Sequence, residues 1–167
     1  FEIGNEYWGS GEMDTLEYGR VSSRMAEILD EELNNHPNAD LFEDVDVLVQ
    51  NGQNYGEDRL SDDFAHLQSA EEQIEAINEE YGLDLDDSFI MNSGNVSWAR
   101  VANEVILSEF DTEEERDAVD GIVMHVYSKG EDRPNSREYD INTVEDTWFE
   151  ELGELDTYVT EWNLKAS

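Results

Sequence analysis

Apolar positions along the chain fall alternately into short continuous runs and into stripes spaced by three and four. Phe1 to Gly4 reads as a short strand, and Tyr7 to Glu12, broken by glycine and serine, as the loop after it. Leu16, Val21, Met25, Ile28, Leu29 and Leu33 repeat with a helical period, which predicts a helix over 15–34 that Asn35, His36 and Pro37 stop. Asp44 to Val49 predicts the next strand, and Gln50 to Gly56 its polar loop. Asp62 and Asp63 suit the cap of a helix reaching Glu80, with Phe64, Leu67, Ile74 and Ile77 inward and Gly82 as its break.

The second half continues the alternation. Phe89 to Met91 reads as a short strand, and Trp98 to Ser108 as a helix with Val101, Ala102, Val105 and Ile106 inward. Asp111 and Thr112 open a helix to Val119 with acids near the positive end of its dipole. Gly121 to Tyr127 is a strand, Ser128 to Asn142 a loop rich in charge, Val144 to Leu152 a helix and Asp156 to Thr160 the last strand. The order β, α, β, α, an inserted helical segment, then β, α, β predicts an α/β fold on a parallel sheet. In such sheets ligands collect at the carboxyl ends of the strands. The first strand is not followed by Gly-x-Gly-x-x-Gly, which argues against a dinucleotide fold.

Length and charge narrow the partners. A chain of 167 residues suits one domain with a real core. Its 44 acidic and 9 basic residues give a net charge of -35, a field that repels nucleic acid and anionic membrane. The same charge suits a surface adapted to salt, or a secreted marine or halophilic protein, so an extracellular location is expected. Asp84 to Ser88 and Glu57–Asp58 have the oxygens for a hard cation, but no segment fits the calcium-loop pattern, and no metal is expected. Without cysteine there are no disulfides, thiolate metal sites or cysteine nucleophile, and His36, His66 and His125 lack ligand spacing. No cofactor is expected. No apolar run approaches the length of a membrane span, and the chain opens in mid-strand, which suggests a segment of something longer.

The candidate chemistry lies near the two ends. Glu6 follows Ile3-Gly4-Asn5, and Glu161 stands in Thr160-Glu161-Trp162-Asn163, each closing a predicted strand. Two carboxylates delivered to one rim are what a glycosidase needs for double displacement at a sugar acetal. Trp8 and Trp162 adjoin them, and aromatic faces stack on sugar C–H faces; Tyr7 and Trp98 extend the candidate platform, although Trp98 also begins an apolar helical stripe. Asn51 and Gln53 follow the second strand and point to the same rim or serve the loop itself.

The motifs together resemble clan A glycoside hydrolases, which are (β/α)8 barrels. Gly4-Asn5-Glu6 is similar to their fourth-strand acid/base motif, His125-Val126-Tyr127 to the sixth-strand segment, and Glu161-Trp162-Asn163 to the seventh-strand nucleophile motif. The closest likeness is to family 51 α-L-arabinofuranosidases, with families 39 and 79 beside them. The resemblance implies a partial TIM barrel over residues 1–167, strands four to seven with their helices, whose remaining strands come from a longer chain or another one. It further implies a retaining glycoside hydrolase cleaving a polysaccharide, with Glu6 as acid/base and Glu161 as nucleophile. Asn5 then meets the sugar 2-hydroxyl, Tyr127 donates to Glu161, and His125 lines the site or is a satisfied buried histidine. The alternative is a non-catalytic carbohydrate-binding or structural module of a secreted acidic protein.

Overall fold

A computed structural model describes residues 1–9, 13–56, 59–129 and 134–165. Four strands, β1 (Glu2–Ile3), β2 (Leu48–Gln50), β3 (Gly121–Lys129) and β4 (Asp156–Lys165), form one sheet in the order β1-β2-β3-β4, and every neighbouring pair is parallel. The helices are α1 (Thr15–Asn34), α2 (Leu60–Asp63), α3 (Ala70–Tyr81), α4 (Trp98–Leu107), α5 (Glu113–Asp117), α6 (Pro134–Glu145) and α7 (Trp148–Leu152). The protein is therefore α/β with a four-stranded parallel sheet. Among the described residues no helix is long and apolar enough to cross a membrane.

The chain divides into two compact units. The first holds residues 1–5, 22–51 and 111–167, and with them the whole sheet; the second holds 6–21 and 52–110. In the first unit Val49, Ile122, Val123 and Met124 fill the sheet's interior, and Ala26, Val144 and Trp148 are equally buried. The sheet helix α6 packs against β3. At the start of β3, a side-chain carbon on Gly121 would come within 2.7 Å of the Asp156 carbonyl, so only glycine lets β3 and β4 pair this closely there. In the second unit α2, α3 and α4 enclose Leu60, Phe64, Ile74, Ile77, Val101 and Val105, with Trp98 half-buried and stacked on Phe64.

Several boundaries differ from the sequence pattern, each for a local reason. The strand expected over Asp44 to Val49 starts only at Leu48, because the Val47 N–H donates to the Asp120 carboxylate at 2.8 Å instead of to a ladder. The helix expected from Asp62 to Glu80 is two, since Ser69 and Glu72 form a capping box that starts α3 afresh; Gly82 does end it, at φ 68°. Phe89 to Met91 is not a strand: Asp87–Phe89 is a 3-10 turn capped by Asp86, and Ile90 makes a single antiparallel bridge to Val96. Much of the expected loop over Ser128 to Asn142 is α6. Pro134 stands at its first position, where a missing N–H costs nothing and φ is already helical. The helix expected over Val144 to Leu152 is likewise divided, α6 ending at Glu145 and α7 beginning at Trp148.

Candidate functional site

The last strand is longer than its apolar pattern suggested. β4 runs on to Lys165, so Glu161 lies inside it rather than closing it. Its pairing with β3 contains one irregularity: Met124 pairs with Val159 and His125 with Glu161, leaving Thr160 as an extra residue. Side chains alternate across a sheet, so one inserted residue changes the face on which everything after it emerges. Without that bulge Glu161 would face Val126. With it, Glu161 shares a face with His125 and Tyr127.

The contacts on that face follow from the register. The Tyr127 hydroxyl donates a short hydrogen bond to Glu161 Oε2. His125 Nδ1 lies 3.9 Å from the same oxygen, and its side chain is 2% exposed while that of Glu161 is 43% exposed. On the other side of the ring, His125 Nε2 is 3.6 Å from Glu2 Oε1 and 3.4 Å from Gln50 Nε2. Each of the four strands thus contributes a polar side chain to one surface: Glu2, Gln50, His125 with Tyr127, and Glu161. Glu2 and Gln50 were not anticipated from the motifs. Their signal was present as polar residues in otherwise apolar strands, but a two-residue and a three-residue strand are too short for alternation to be read.

No family model, curated protein or solved structure matches this chain.

Glu6 belongs to the second unit and Glu161, His125, Tyr127 and Asn5 to the first. Among the described residues Glu6 is the one non-glycine with positive φ, at 46°. Its carbonyl accepts from the Gly9 N–H at 2.7 Å, closing a tight turn directly after Gly4 and Asn5. A long side chain in the left-handed region costs of order 1–3 kcal/mol and persists where surrounding structure over-determines it, commonly at functional sites.

The aromatic candidates separate clearly. Trp162 is 74% exposed, an open ring one residue after Glu161. Trp8 is buried, its ring edge-on to Tyr7 at 5.0 Å, and Tyr7 stacks on Tyr18 at 4.2 Å. Burial pushes the Tyr7 phenol up to about 12, although the Gln53 N–H donating to it works the other way. Tyr7 and Trp8 thus sit in packing, whereas Trp162 faces solvent. Asn51 follows β2 and is fully buried; its N–H donates to the Val123 carbonyl, and its side-chain amide has no hydrogen-bond partner among the described residues.

Proposed function

We propose that this chain is the catalytic segment of a retaining glycoside hydrolase of the (β/α)8 type, acting on a polysaccharide. The observation that carries the reading is Glu161: a half-open carboxylate held at one oxygen by a phenol, beside a buried histidine. The strand order supports an arc of a barrel, because it runs β1-β2-β3-β4 without the reversal that marks a doubly wound sheet. A ten-residue β4 at the sheet's edge, exposed at Val159 and Trp162, is what a strand awaiting a further neighbour presents. The remaining strands are to be supplied by a longer polypeptide or another chain.

In the proposed reaction the free Glu161 oxygen attacks the anomeric carbon as the glycosidic C–O bond breaks, and Glu6 gives its proton to the departing oxygen. Water then attacks the glycosyl ester and yields a proton to Glu6, and the Glu161–carbon bond breaks with retention. Tyr127 holds Oε2 so that the other oxygen is presented to the sugar. Asn5 binds the 2-hydroxyl as the oxocarbenium ion develops.

The test is covalent. A 2-deoxy-2-fluoro glycoside with a good leaving group, given to the complete barrel, is expected to leave one glycosyl group on Glu161, found by peptide mass spectrometry. Hydrolysis with inversion, or labelling at another residue, would overturn the assignment. A carbohydrate-binding module is the second reading, favoured by the open Trp162 ring. It is distinguished by glycan binding that Trp162→Ala abolishes in a protein that never cleaves.

A further inference from the structure

Glu2 contributes to the site without belonging to any motif. It stands on β1 with its carboxylate 3.6 Å from His125 Nε2, while Glu161 lies 3.9 Å from Nδ1 on the opposite side of the same ring. Gln50 reaches Nε2 at 3.4 Å from β2, and Tyr127 occupies the Glu161 oxygen that faces Nδ1.

A histidine between two acceptors has a choice of where its proton sits. In the neutral ring one nitrogen donates and the other accepts, and the partner of one nitrogen decides the state of the other. The Glu2 carboxylate, 3.6 Å away, puts a negative charge beside Nε2 and so favours a proton there. Gln50 can offer an acceptor, because its amide oxygen and nitrogen exchange places by a simple flip. Glu161 already receives the Tyr127 hydroxyl, so its claim on Nδ1 is the weaker one.

We propose that Glu2 is a positioning residue for the nucleophile: its negative charge beside Nε2 favours the proton on that side of His125 and leaves Nδ1 to face Glu161. This rests on the reading of Glu161 as the nucleophile. Carboxylate–histidine pairs at metal centres act in this way, and loss of the outer partner there typically costs about 10–100-fold in affinity or activity.

The test uses the complete barrel labelled with 15N-histidine, whose ring-nitrogen shifts report the protonated atom at one fixed pH. The wild type is expected to carry its proton on Nε2. Glu2→Leu, similar in size but without the charge, is expected to lose that preference and to lower kcat about tenfold with KM little changed. Glu2→Asp, which keeps the charge, retains the Nε2 proton and at least part of kcat. In a His125→Gln background, Glu2→Leu should have no further effect on kcat. An Nε2 proton that survives Glu2→Leu, or a kcat loss that persists without His125, overturns the proposal. The ring-nitrogen measurement needs no turnover. A wild type that hydrolyses nothing therefore condemns the glycosidase reading, while the proton's location still decides the role of Glu2.

Discussion

Glu161 sits within a ten-residue strand that is regular except for one bulge, and its carboxylate is aimed by neighbours: a phenol from β3 and a histidine two residues before it. Glu6 sits in a turn just after a two-residue strand, and what distinguishes it is its own backbone, at φ 46°. The same functional group is thus oriented in two ways, one by side-chain contacts on a sheet and the other by main-chain conformation. Changes to surrounding side chains should disturb Glu161 most, and changes in backbone preference should register at Glu6.

The largest effect expected is chemical and separates the two acids by role. Glu161→Gln should lower kcat/KM about 10^4-fold on every substrate, since no leaving group removes the need for a nucleophile. Glu6→Gln should lower kcat/KM as much on a sugar leaving group but little on a dinitrophenyl glycoside, which departs without a proton, while the glycosyl ester then accumulates for want of a base. The measurement is kcat/KM across aryl glycosides of graded acidity; equal losses in both variants throughout the series would erase the distinction. Next in size is insertion of one alanine between Thr160 and Glu161, which moves Glu161 into the register opposite Val126 and so turns it toward the other face. Misplacing a reacting group by even about 1 Å can cost about 100-fold, so at least that loss in kcat/KM is expected. Tyr127→Phe, which removes one hydrogen bond to a charged oxygen, should cost about tenfold. Tyr127→Phe should leave the melting temperature nearly unchanged, because the ring stays and its hydroxyl end is partly exposed.

How far the sequence announced this arrangement depends on the scale of the signal. The twenty residues of α1 show their period several times over, and α1 falls where the pattern put it. The capping boxes at Ser69 and Thr112 were legible in kind, but the one at Ser69 divides what periodicity alone joins into one helix. Pro134 read as a loop residue because proline breaks helices everywhere except at their first turn. The segments carrying His125, Tyr127 and Glu161 stood out through their motifs. The bulge at Thr160 did not, since it depends on register between two strands far apart in sequence. Glu2 was hidden for the same reason: its importance comes from a ring 123 positions later, and nothing local marks it.

The next prediction tests the backbone side of the comparison. If Glu6 stores strain, Glu6→Asn should raise stability by about 1 kcal/mol, since asparagine tolerates the left-handed region better than a long side chain. Glu161→Asn, at an extended strand position, should bring no such gain. Denaturant midpoints at constant m-value decide it. A destabilised Glu6→Asn would mean that contacts of the glutamate side chain outweigh its backbone cost.

The smallest effect concerns an acid with neither role. Asp140 lies on α6, the helix packed against β3, and burial raises its carboxyl from 3.8 to about 6. A raised folded value means that the native state holds a proton the unfolded chain has released. The associated stability is full below about pH 4 and is lost as pH rises through about 6. Solvent reaches this half-buried group, so screening should hold the effect under about 1 kcal/mol. Asp140→Asn keeps the shape and removes the titration. It should match the wild type near pH 4, exceed it slightly above pH 6, and flatten the stability curve between. Because Asp140 touches neither reacting glutamate in the proposed mechanism, the pH profile of kcat should stay in place while the melting curve moves. A kcat profile that shifts with Asp140→Asn would show that the helix behind β3 communicates with Glu161, and the division between neighbour-held and backbone-held acids would then have to include the layer beneath the sheet.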